Sequence, residues 1–240
     1  MKKIKIAHLY YDLMNLYGEN GNVRYLKKKL EQQGLDVEVC FLTKDDEINF
    51  KKYDFYYIGM GSDDNKLIVL EDILKYKKDI KEAIDNGKYF LVTGNAVELF
   101  GEGIISLNNE LTVTLETFKY QVKEEEFRIV GEQFYSTTLT DNKIVGFQNR
   151  SSVMINVKEN KLFDVIKGTG YKPEEMIEGI YKNNFFGTYL LGPILVRNPY
   201  FTDYIVEGIC ESISHTYKVN NDDMAYKAYV EYLKNFHENQ

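Results

Sequence analysis

Short apolar runs alternate with stretches of helical periodicity through the first hundred residues. Apolar runs predict four strands, at Lys3–Tyr10, Val37–Leu42, Tyr53–Met60 and Tyr89–Val92. Apolar positions at helical spacing predict helices over Val23–Gln33 and about Leu67–Asn86, each closed by a glycine. Because strands and helices alternate, this half is predicted to form a parallel sheet with right-handed crossovers.

The pattern changes after Gly101. Short segments rich in β-branched and aromatic residues, separated by polar turns, are typical of a mostly antiparallel β section. The strands predicted there are Leu111–Leu115, Phe118–Val122, Phe127–Val130, Ile144–Gln148, Ile177–Tyr181 and Phe186–Leu190. The absence of a repeat or a linker favours one domain over residues 1–240.

Two helices are predicted near the end of the chain. Asn198 followed by Pro199 indicates the start of a helix that runs to about His215. A last helix is predicted over Asp222–Phe236, with an apolar stripe of Tyr226, Tyr229, Val230, Leu233 and Phe236. We expect the stripe to pack on the domain; a surface for a partner protein is the alternative.

The segment Tyr89–Gly101, YFLVTGNAVELFG, has the pattern of a strand, a sharp turn at Gly94-Asn95 and a helix. Open α/β sheets place their ligands at such turns, outside the carboxyl ends of the strands. Many enzymes hold a nucleophile there, at a strain of roughly 1–3 kcal/mol. Glycine adopts the same dihedrals freely and brings no reactive atom.

Composition narrows the possible functions. The net charge of −7 and the sequence pI near 5.2 disfavour nucleic-acid binding. No run approaches the roughly 20 apolar residues that span a bilayer, and the polar start does not resemble a signal peptide. Cys40 and Cys210 form no metal-ligand or CxxC pattern, which favours buried thiols in a reducing cytoplasm. We expect no cofactor and no metal.

Four segments in this order resemble class I glutamine amidotransferase domains of the CobB/CobQ type. They are YYDLMNLYGENGN (Tyr10–Asn22), YIGMGSDD (Tyr57–Asp64), the turn at Gly94, and GTYLLGPILVRNP (Gly187–Pro199), preceded by Glu178-Gly179 and VGFQNR (Val145–Arg150). Within that family the chain looks most like the amidotransferase (GatD-type) subunits of lipid II isoglutaminyl synthase, which work with a Mur-ligase-like subunit. The resemblance implies a flavodoxin-like α/β fold, with a mostly parallel sheet flanked by helices.

The resemblance also implies a cysteine at the turn that attacks the glutamine amide, and a histidine in the GTY segment that deprotonates it. Alignment on these segments places Gly94 at the cysteine position and Leu191 at the histidine position. Loss of both members of such a pair leaves little more than substrate binding. The sequence therefore predicts a chain that is inactive as a glutaminase, with activity returning only when Gly94→Cys and Leu191→His are combined.

The ligand-binding candidates are residues that would frame the vacated site. The N–H groups of Met60 or Gly61 and of Asn95 are candidates for an anion-binding pair. Gln148 and Asn149 fall where the resemblance places a substrate-facing turn. Asp63 and Asp64 are candidates for a polar ligand or a metal, although a solvated turn is favoured.

Other polar residues were considered as substitutes for the missing pair. Thr93 is expected to point away from the site. A lone histidine in a strand, such as His8, is more often structural than functional. Cys40 is expected in the core, and His215 and His237 at a helix end and in the tail.

Three functions follow from the sequence. The first is a non-catalytic or regulatory cytoplasmic partner of an amide-forming, Mur-ligase-like enzyme. The second is an active glutamine amidotransferase that supplies ammonia for a cell-wall precursor such as lipid II or for a cobyrinate-like substrate. The third is a sensor that binds glutamine or another amino acid without turnover. The first is preferred because function must be argued from the site rather than from the fold.

Overall fold

One continuous mixed sheet organises the molecule. The computed structural model describes residues 3–220 and 224–238, with side chains described up to residue 234. The strands are β1 (Lys3–Leu9), β2 (Asp36–Leu42), β3 (Phe55–Ile58), β4 (Tyr89–Thr93), β5 (Gly103–Ile105), β6 (Leu111–Val113), β7 (Gln121–Ser136), β8 (Ile144–Ile155), β9 (Asn160–Lys167), β10 (Ile177–Lys182) and β11 (Phe185–Thr188).

The order of the strands is β2-β1-β3-β4-β11-β10-β9-β7-β5-β6, and β8 pairs with β7. The first five of these strands are mutually parallel. Their order matches the flavodoxin-like arrangement, with β11 as the fifth strand. From β11 onwards the pairs are antiparallel, except that β5 pairs with β7 in parallel. The predicted division into a parallel and a mostly antiparallel part is confirmed.

The helices lie between the strands and at the end of the described chain. They are α1 (Asn20–Gln32), α2 (Asp63–Ile73), α3 (Lys77–Asp85), α4 (Ile194–Arg197), α5 (Pro199–Ser212) and α6 (Met224–Glu238), with 3₁₀ turns at Leu74–Tyr76 and Gly94–Phe100. No helix within the described part of the chain combines the length and the apolar character needed to cross a membrane.

Several predicted boundaries were wrong. The predicted helix Leu67–Asn86 begins earlier, at Asp63, because the Ser62 hydroxyl caps it by accepting the Asn65 N–H at 3.2 Å. A 3₁₀ turn then divides it into α2 and α3. Strand β9 was missed, since Lys161, Asp164 and Lys167 interrupt its apolar residues. The helix after the turn at Gly94 is a 3₁₀ segment rather than an α-helix.

The sheet separates two large apolar clusters. Along β1, Ile4 and Ile6 face one cluster, whereas Ala7 and Leu9 face the other. This alternation places β1 between two buried faces, and only Lys3 at its start is exposed. The same holds for β4, all of whose residues are buried.

The aromatic stripe of α6 packs on the body of the protein where it is described. Tyr226 and Tyr229 are both 4% exposed, and the Tyr229 hydroxyl donates to the Lys143 carbonyl at 2.7 Å. The Tyr226 hydroxyl accepts a hydrogen bond from the buried Lys29 ammonium at 2.6 Å and donates one to the Asp203 carboxylate at 2.6 Å. The expectation of packing is thus met by these two residues, whereas Val230 is exposed. Asp222 and the Phe236 side chain lie outside the described residues.

Candidate functional site at the carboxyl edge of the parallel strands

Neighbouring parallel strands end side by side at one edge of the sheet. Because β3, β4 and β11 are parallel neighbours, their carboxyl ends bring Met60, Gly94 and Leu191 into one region. The Gly94 N–H donates to the carbonyl of Leu190 at 3.1 Å, which ties the turn to the end of β11. The sheet therefore assembles the region that the sequence singled out.

Gly94 has the backbone conformation of a nucleophile turn. Its φ is +60°, in the left-handed region that favours glycine, and the residue is buried. A Cβ built on Gly94 would lie 2.6 Å from the Met60 Cβ and 3.1 Å from its sulfur. Ordinary carbon contacts are about 3.5–4.0 Å. The space that a nucleophile would need is occupied by the Met60 side chain, which is 6% exposed.

One candidate for the predicted anion-binding pair, the Gly61 N–H, is engaged within the protein. The Gly61 N–H donates to Asn95 Oδ1 at 3.1 Å, and Asn95 Nδ2 donates to the Gly61 carbonyl at 2.9 Å. Asn95 thus locks the turn after β3 to the turn after β4. The prediction that the Gly61 N–H faces a ligand is corrected, because the Asn95 amide already accepts from it.

Glu19 is the site residue that sequence reasoning missed. It precedes α1 and is fully buried, yet its carboxylate reaches the end of β4 and accepts the Thr93 hydroxyl at 2.9 Å. It also accepts the Tyr57 hydroxyl and, at 3.1 Å, the Gly192 N–H. Burial raises the pKa of Glu19, and these hydrogen bonds and the backbone of Met60 oppose that rise.

A glutamate in a loop rich in Asn and Gly gave no signal of its own in the sequence. The nearest hint in the sequence is a pair of glycines, Gly59 and Gly192, that lie against its side chain. A Cβ on Gly59 would lie 2.6 Å from Glu19 Cγ, and a Cβ on Gly192 would lie 2.3 Å from Glu19 Oε2. Two glycines are therefore required for the Glu19 side chain to enter the site.

Gln148 and Asn149 have different environments. Gln148 is fully buried; its amide nitrogen donates to the Tyr135 hydroxyl at 2.9 Å and its oxygen accepts from Arg150 at 3.0 Å. The expectation that it faces a ligand is corrected, since side chains alternate along β8 and this one points into the protein. Asn149 instead donates to the Tyr17 hydroxyl at 2.7 Å and accepts from Arg128 at 2.5 Å, near the surface.

An open cleft of about 230 Å³ lies beside the turn. It is lined by Met60, Asp63, Lys66, Asn95, Glu98, Leu107, Glu124, Glu125, Arg128, Asn149, Arg150, Ser151 and Ser152. Four of the predicted ligand-binding candidates are therefore in its wall, whereas Gly61 and Gln148 are not. Gly94, Leu191 and Glu19 do not line it either, so the cleft lies to one side of these three residues.

A buried ion pair forms the floor of this cleft. Lys66 Nζ lies 2.5 Å from Glu98 Oε2 and 3.4 Å from Asp63 Oδ1. Burial lowers the pKa of Lys66, but the Glu98 carboxylate raises it, and the net shift is upward. Ser152 donates to the second oxygen of Glu98. The two side chains are thus paired with each other and further hydrogen-bonded, as a buried ion pair requires.

Asp63 and Asp64 begin α2 rather than forming the predicted solvated turn. The side chain of Asp63 is 86% exposed and contacts Lys66. Two carboxylates in the first turn complement the helix dipole, which accounts for their position. Among the described residues no group of three or more His, Cys, Asp or Glu side chains is arranged to hold a metal ion.

Glu178 fixes the segment that carries Leu191. It is fully buried on β10, accepting the Tyr189 N–H and the Thr188 hydroxyl, each at 2.8 Å. Burial raises the pKa of Glu178 to about 7. Leu191 itself is 5% exposed, and its N–H donates to the Phe147 carbonyl at 2.9 Å.

Among the described side chains, the other candidates do not supply a thiol and an imidazole to the turn. The Cys40 thiol on β2 contacts Glu38, and Cys210 is buried in α5. His215 contacts the Gln33 carbonyl at 2.8 Å. The His237 side chain lies outside the described residues.

Thr93 and His8 differ from expectation in one respect each. Thr93 was expected to point away from the site, and its hydroxyl instead contacts Glu19 and Tyr57. His8 is fully buried, and neither of its ring nitrogens has a hydrogen-bond partner in the described structure. Burial lowers the pKa of His8 to about 4.

Known proteins resemble this chain over most of its length. A family model of the CobB/CobQ-like glutamine amidotransferase domain matches residues 5–199. The lipid II isoglutaminyl synthase (glutamine-hydrolyzing) subunit GatD of Staphylococcus aureus (strain N315) is 30% identical over 211 residues, covering 88% of this chain and 86% of that protein. The subunit of the same name from Streptococcus pneumoniae (strain ATCC BAA-255 / R6) is 30% identical over 198 residues, covering 82% and 76%.

A solved structure described as a glutamine amidotransferase shares the fold. It aligns with a TM-score of 0.54 at 13% identity, over 85% of this chain and 98% of its own.

Proposed function

The chain belongs to the CobB/CobQ-like glutamine amidotransferase family, and we propose that it keeps the family's fold without hydrolysing glutamine. In this proposal it is a single-domain, cytoplasmic partner subunit that supports or regulates an amide-forming, Mur-ligase-like enzyme. The partner is suggested by the GatD relatives, which are named as subunits of a lipid II isoglutaminyl synthase.

The observation that carries the proposal is the position of Met60. If glycine at position 94 were the only difference at the turn, a single substitution could restore a nucleophile. Here the neighbouring side chain fills the space, with its Cβ 2.6 Å from where a Cβ of residue 94 would lie. Both sides of the turn are therefore adapted to a residue without a side chain.

The position of the base supports the same conclusion. Leu191 offers no group that accepts a proton, and the nearest buried carboxylate, Glu19, accepts two hydroxyls and a backbone N–H. The one hydroxyl that touches Glu19 at the end of β4, that of Thr93, is fully buried. A threonine nucleophile needs both a base and access to substrate. Thr93 contacts a base, Glu19, but its burial leaves it without access to substrate.

Two measurements on the native protein test the proposal. Glutamate release from glutamine should stay at the level of a Gly94→Val control, with and without an added partner. Affinity purification of the native protein from its own cells, followed by crosslinking and mass spectrometry, should recover a Mur-ligase-like subunit at a defined stoichiometry. Glutamine turnover above the control would restore the alternative of an active amidotransferase for a cell-wall precursor or a cobyrinate-like substrate. Recovery of the native protein as a free chain would contradict the partner role.

The open cleft favours a second function, that of a small-molecule sensor. A volume of about 230 Å³ suits a ligand the size of an amino acid, and Arg128 and Glu124 provide opposite charges on its wall. Calorimetric titration with glutamine and other amino acids should then show saturable heat that Arg128→Ala removes. A titration with neither heat nor a thermal shift would exclude this function.

A further inference from the structure

The sheet ends at β2 in an edge that no other strand covers. All seven residues of β2 pair with β1, without a shift of register. β2 is the terminal strand of the sheet, and no second strand pairs with it among residues 3–220 and 224–238. Two strands, β1 and β3, separate it from β4 and the turn at Gly94, so this edge has no part in the function proposed above.

Alternate residues of β2 direct their backbone groups away from β1. The Leu42 carbonyl accepts the Tyr11 N–H at 3.3 Å, so the backbone groups of Leu42 face the β1 side. The N–H and C=O of one strand residue point to the same side, and those of the next residue point to the other side. The backbone groups of Val37, Val39 and Phe41 therefore point outward, and no hydrogen bond to them is found within the described structure.

This edge lacks the usual protection against pairing with another strand. Edge strands are commonly short, or they carry a bulge, a proline or a lysine. β2 has seven residues and none of these three features, and Phe41 near its end is 47% exposed. Of its two acids, Glu38 is paired with Lys3 at 2.8 Å. The strand at the opposite end of the sheet, β6, has only three residues, so β2 is the longer template.

The edge is complementary to a copy of itself. Two β2 strands that run antiparallel about a twofold axis at Val39 place Val39 opposite its own copy and Phe41 opposite Val37. Each of these pairs exchanges two backbone hydrogen bonds, about six in total, and brings apolar side chains together on one face. An axis at Glu38 would oppose two like charges, and an axis at Cys40 would leave Val37 without a strand residue opposite it. The axis at Val39 is therefore the favoured one.

Charge is complementary on the other face of the same pair. With the axis at Val39, Glu38 of one copy lies opposite Cys40 of the other. Burial and then Glu38 raise the pKa of the Cys40 thiol, whereas Lys52 and Lys5 oppose that rise, which places both ammonium groups near the thiol. The carboxylate of each copy thus approaches two ammonium groups of the other, and opposite charges across strands stabilise a sheet.

We propose that β2 pairs with β2 of a second copy of this chain, antiparallel about Val39, and forms a twofold-symmetric dimer with one sheet continuous across both copies. Each copy contributes the same residues, as an isologous interface requires. A single strand of seven residues buries less than the roughly 800 Å² per partner of a standard interface. The dimer is therefore weak, with a dissociation constant of about 100 μM.

Sedimentation equilibrium of the full-length protein tests the dimer. Between about 5 μM and about 1 mM the average mass should rise from that of one chain towards that of two. Val39→Lys opposes two like charges at the axis and should weaken the dimer at least about tenfold. Val39→Pro removes an N–H that β1 does not use and should act in the same direction without adding charge. Circular dichroism establishes that each variant is folded.

Val113→Lys is the matched control. It makes the same change of side chain on β6, at the other end of the sheet, where Val113 is 50% exposed. The dissociation constant of the dimer should not change, because β6 takes no part in the proposed pairing.

The native cysteines report the register of the pair. Cys40 is partly exposed, whereas Cys210 is buried. In the proposed register the two Cys40 residues are diagonal neighbours about 7–8 Å apart, within the reach of about 8 Å of bismaleimidoethane. This reagent should join two chains of the native protein and of Cys210→Ala, but not of Cys40→Ser.

Three results would overturn the proposal. The first is a protein that stays monomeric up to about 1 mM. The second is a dimer that Val113→Lys weakens as much as Val39→Lys does. The third is a dimer in sedimentation that bismaleimidoethane does not crosslink through Cys40.

Discussion

Gly94→Ala should destabilise the protein far more than a left-handed glycine alone would require. The backbone part follows from the φ of +60°, which costs a residue with a Cβ about 1–2 kcal/mol. The steric part follows from the 2.6 Å separation between the new Cβ and the Met60 Cβ, about 1 Å inside ordinary contact. Overpacking of this kind costs about 1–3 kcal/mol. The sum, about 2–5 kcal/mol, is a large part of the 5–15 kcal/mol typical of a whole domain.

Gly34→Ala is the matched control for the backbone part. Gly34 has a φ of +80°, and a Cβ there would meet nothing within 4 Å. The free energy of unfolding of both variants can be measured by urea denaturation, followed by circular dichroism because the chain lacks tryptophan. Gly94→Ala should cost about 1–3 kcal/mol more than Gly34→Ala.

Met60→Gly completes the test as a double-mutant cycle. On its own it leaves a cavity, but combined with Gly94→Ala it removes the contact, so the two changes should couple favourably by about 1–3 kcal/mol. Equal costs for Gly94→Ala and Gly34→Ala, or strict additivity of the Met60 and Gly94 changes, would refute the claim that Met60 fills the nucleophile position.

Four further outcomes follow from the same structure. The sequence predicts that Gly94→Cys combined with Leu191→His suffices for glutaminase activity. We instead expect this double variant to remain inactive until Met60→Gly is added. Equal activity of the double and triple variants in a glutamate-release assay would disprove this. Because the pKa of His8 is lowered to about 4, its neutral ring favours the folded state fully above about pH 6.5, and this contribution to the free energy of unfolding is lost as the pH drops towards 4. The loss amounts to about 3 kcal/mol, and it should be absent from His8→Leu when both proteins are unfolded in urea across that pH range. The raised pKa of Glu178 acts in the opposite direction: its contribution to the free energy of unfolding is fully present below about pH 4.5 and is lost as the pH rises through 7. Glu178→Gln should therefore remove a pH-dependent loss of similar size and leave the His8 trend visible. An unchanged pH profile in either variant would show that the group does not titrate as described. Glu19→Ala leaves the Gly192 N–H without an acceptor, and also one of the two buried hydroxyls, because only one of Tyr57 and Thr93 can donate to the other. It should cost at least about 2 kcal/mol, whereas Glu126→Ala on the surface should be nearly neutral; similar midpoints for the two variants would count against a role for Glu19 in holding the site together.

The sequence predicted the fold well where periodicity was strong. The strands β3 and β4 were found because they are almost entirely apolar, and β1 and β2 because apolar residues alternate with charged ones in their first halves. The start of α2 at Asp63 was missed, since the Ser62 cap lies beside two acids and a glycine that also suit a turn. Helix propensity alone cannot distinguish a helix start from a turn at Asp63, because the contact between Lys66 and Glu98 that favours the helix is not visible in the sequence.

The site was predicted in part, for a physical reason. Local pattern located Gly94, Met60 and Asn95, because a turn after a strand has a local signature. It could not show that Met60 fills the space over Gly94, that Asn95 bonds Gly61, or that Glu19 reaches Thr93, since these contacts join residues 34 to 74 positions apart. Gln148 was misplaced because the side-chain alternation along β8 depends on register, which pairing with β7 decides.

The position of β11 has a consequence for biogenesis. This strand lies between β4 and β10, and its residue Phe185 is in register with Phe90, 95 positions earlier in the chain. A nascent polypeptide that has emerged only as far as β10 exposes one whole side of β4, an apolar ribbon whose backbone groups can pair with any passing strand. Pairing of β4 with β11 therefore waits until residue 188 has been synthesised, and until then the free edge of β4, Tyr89–Thr93, is open to pairing with another chain.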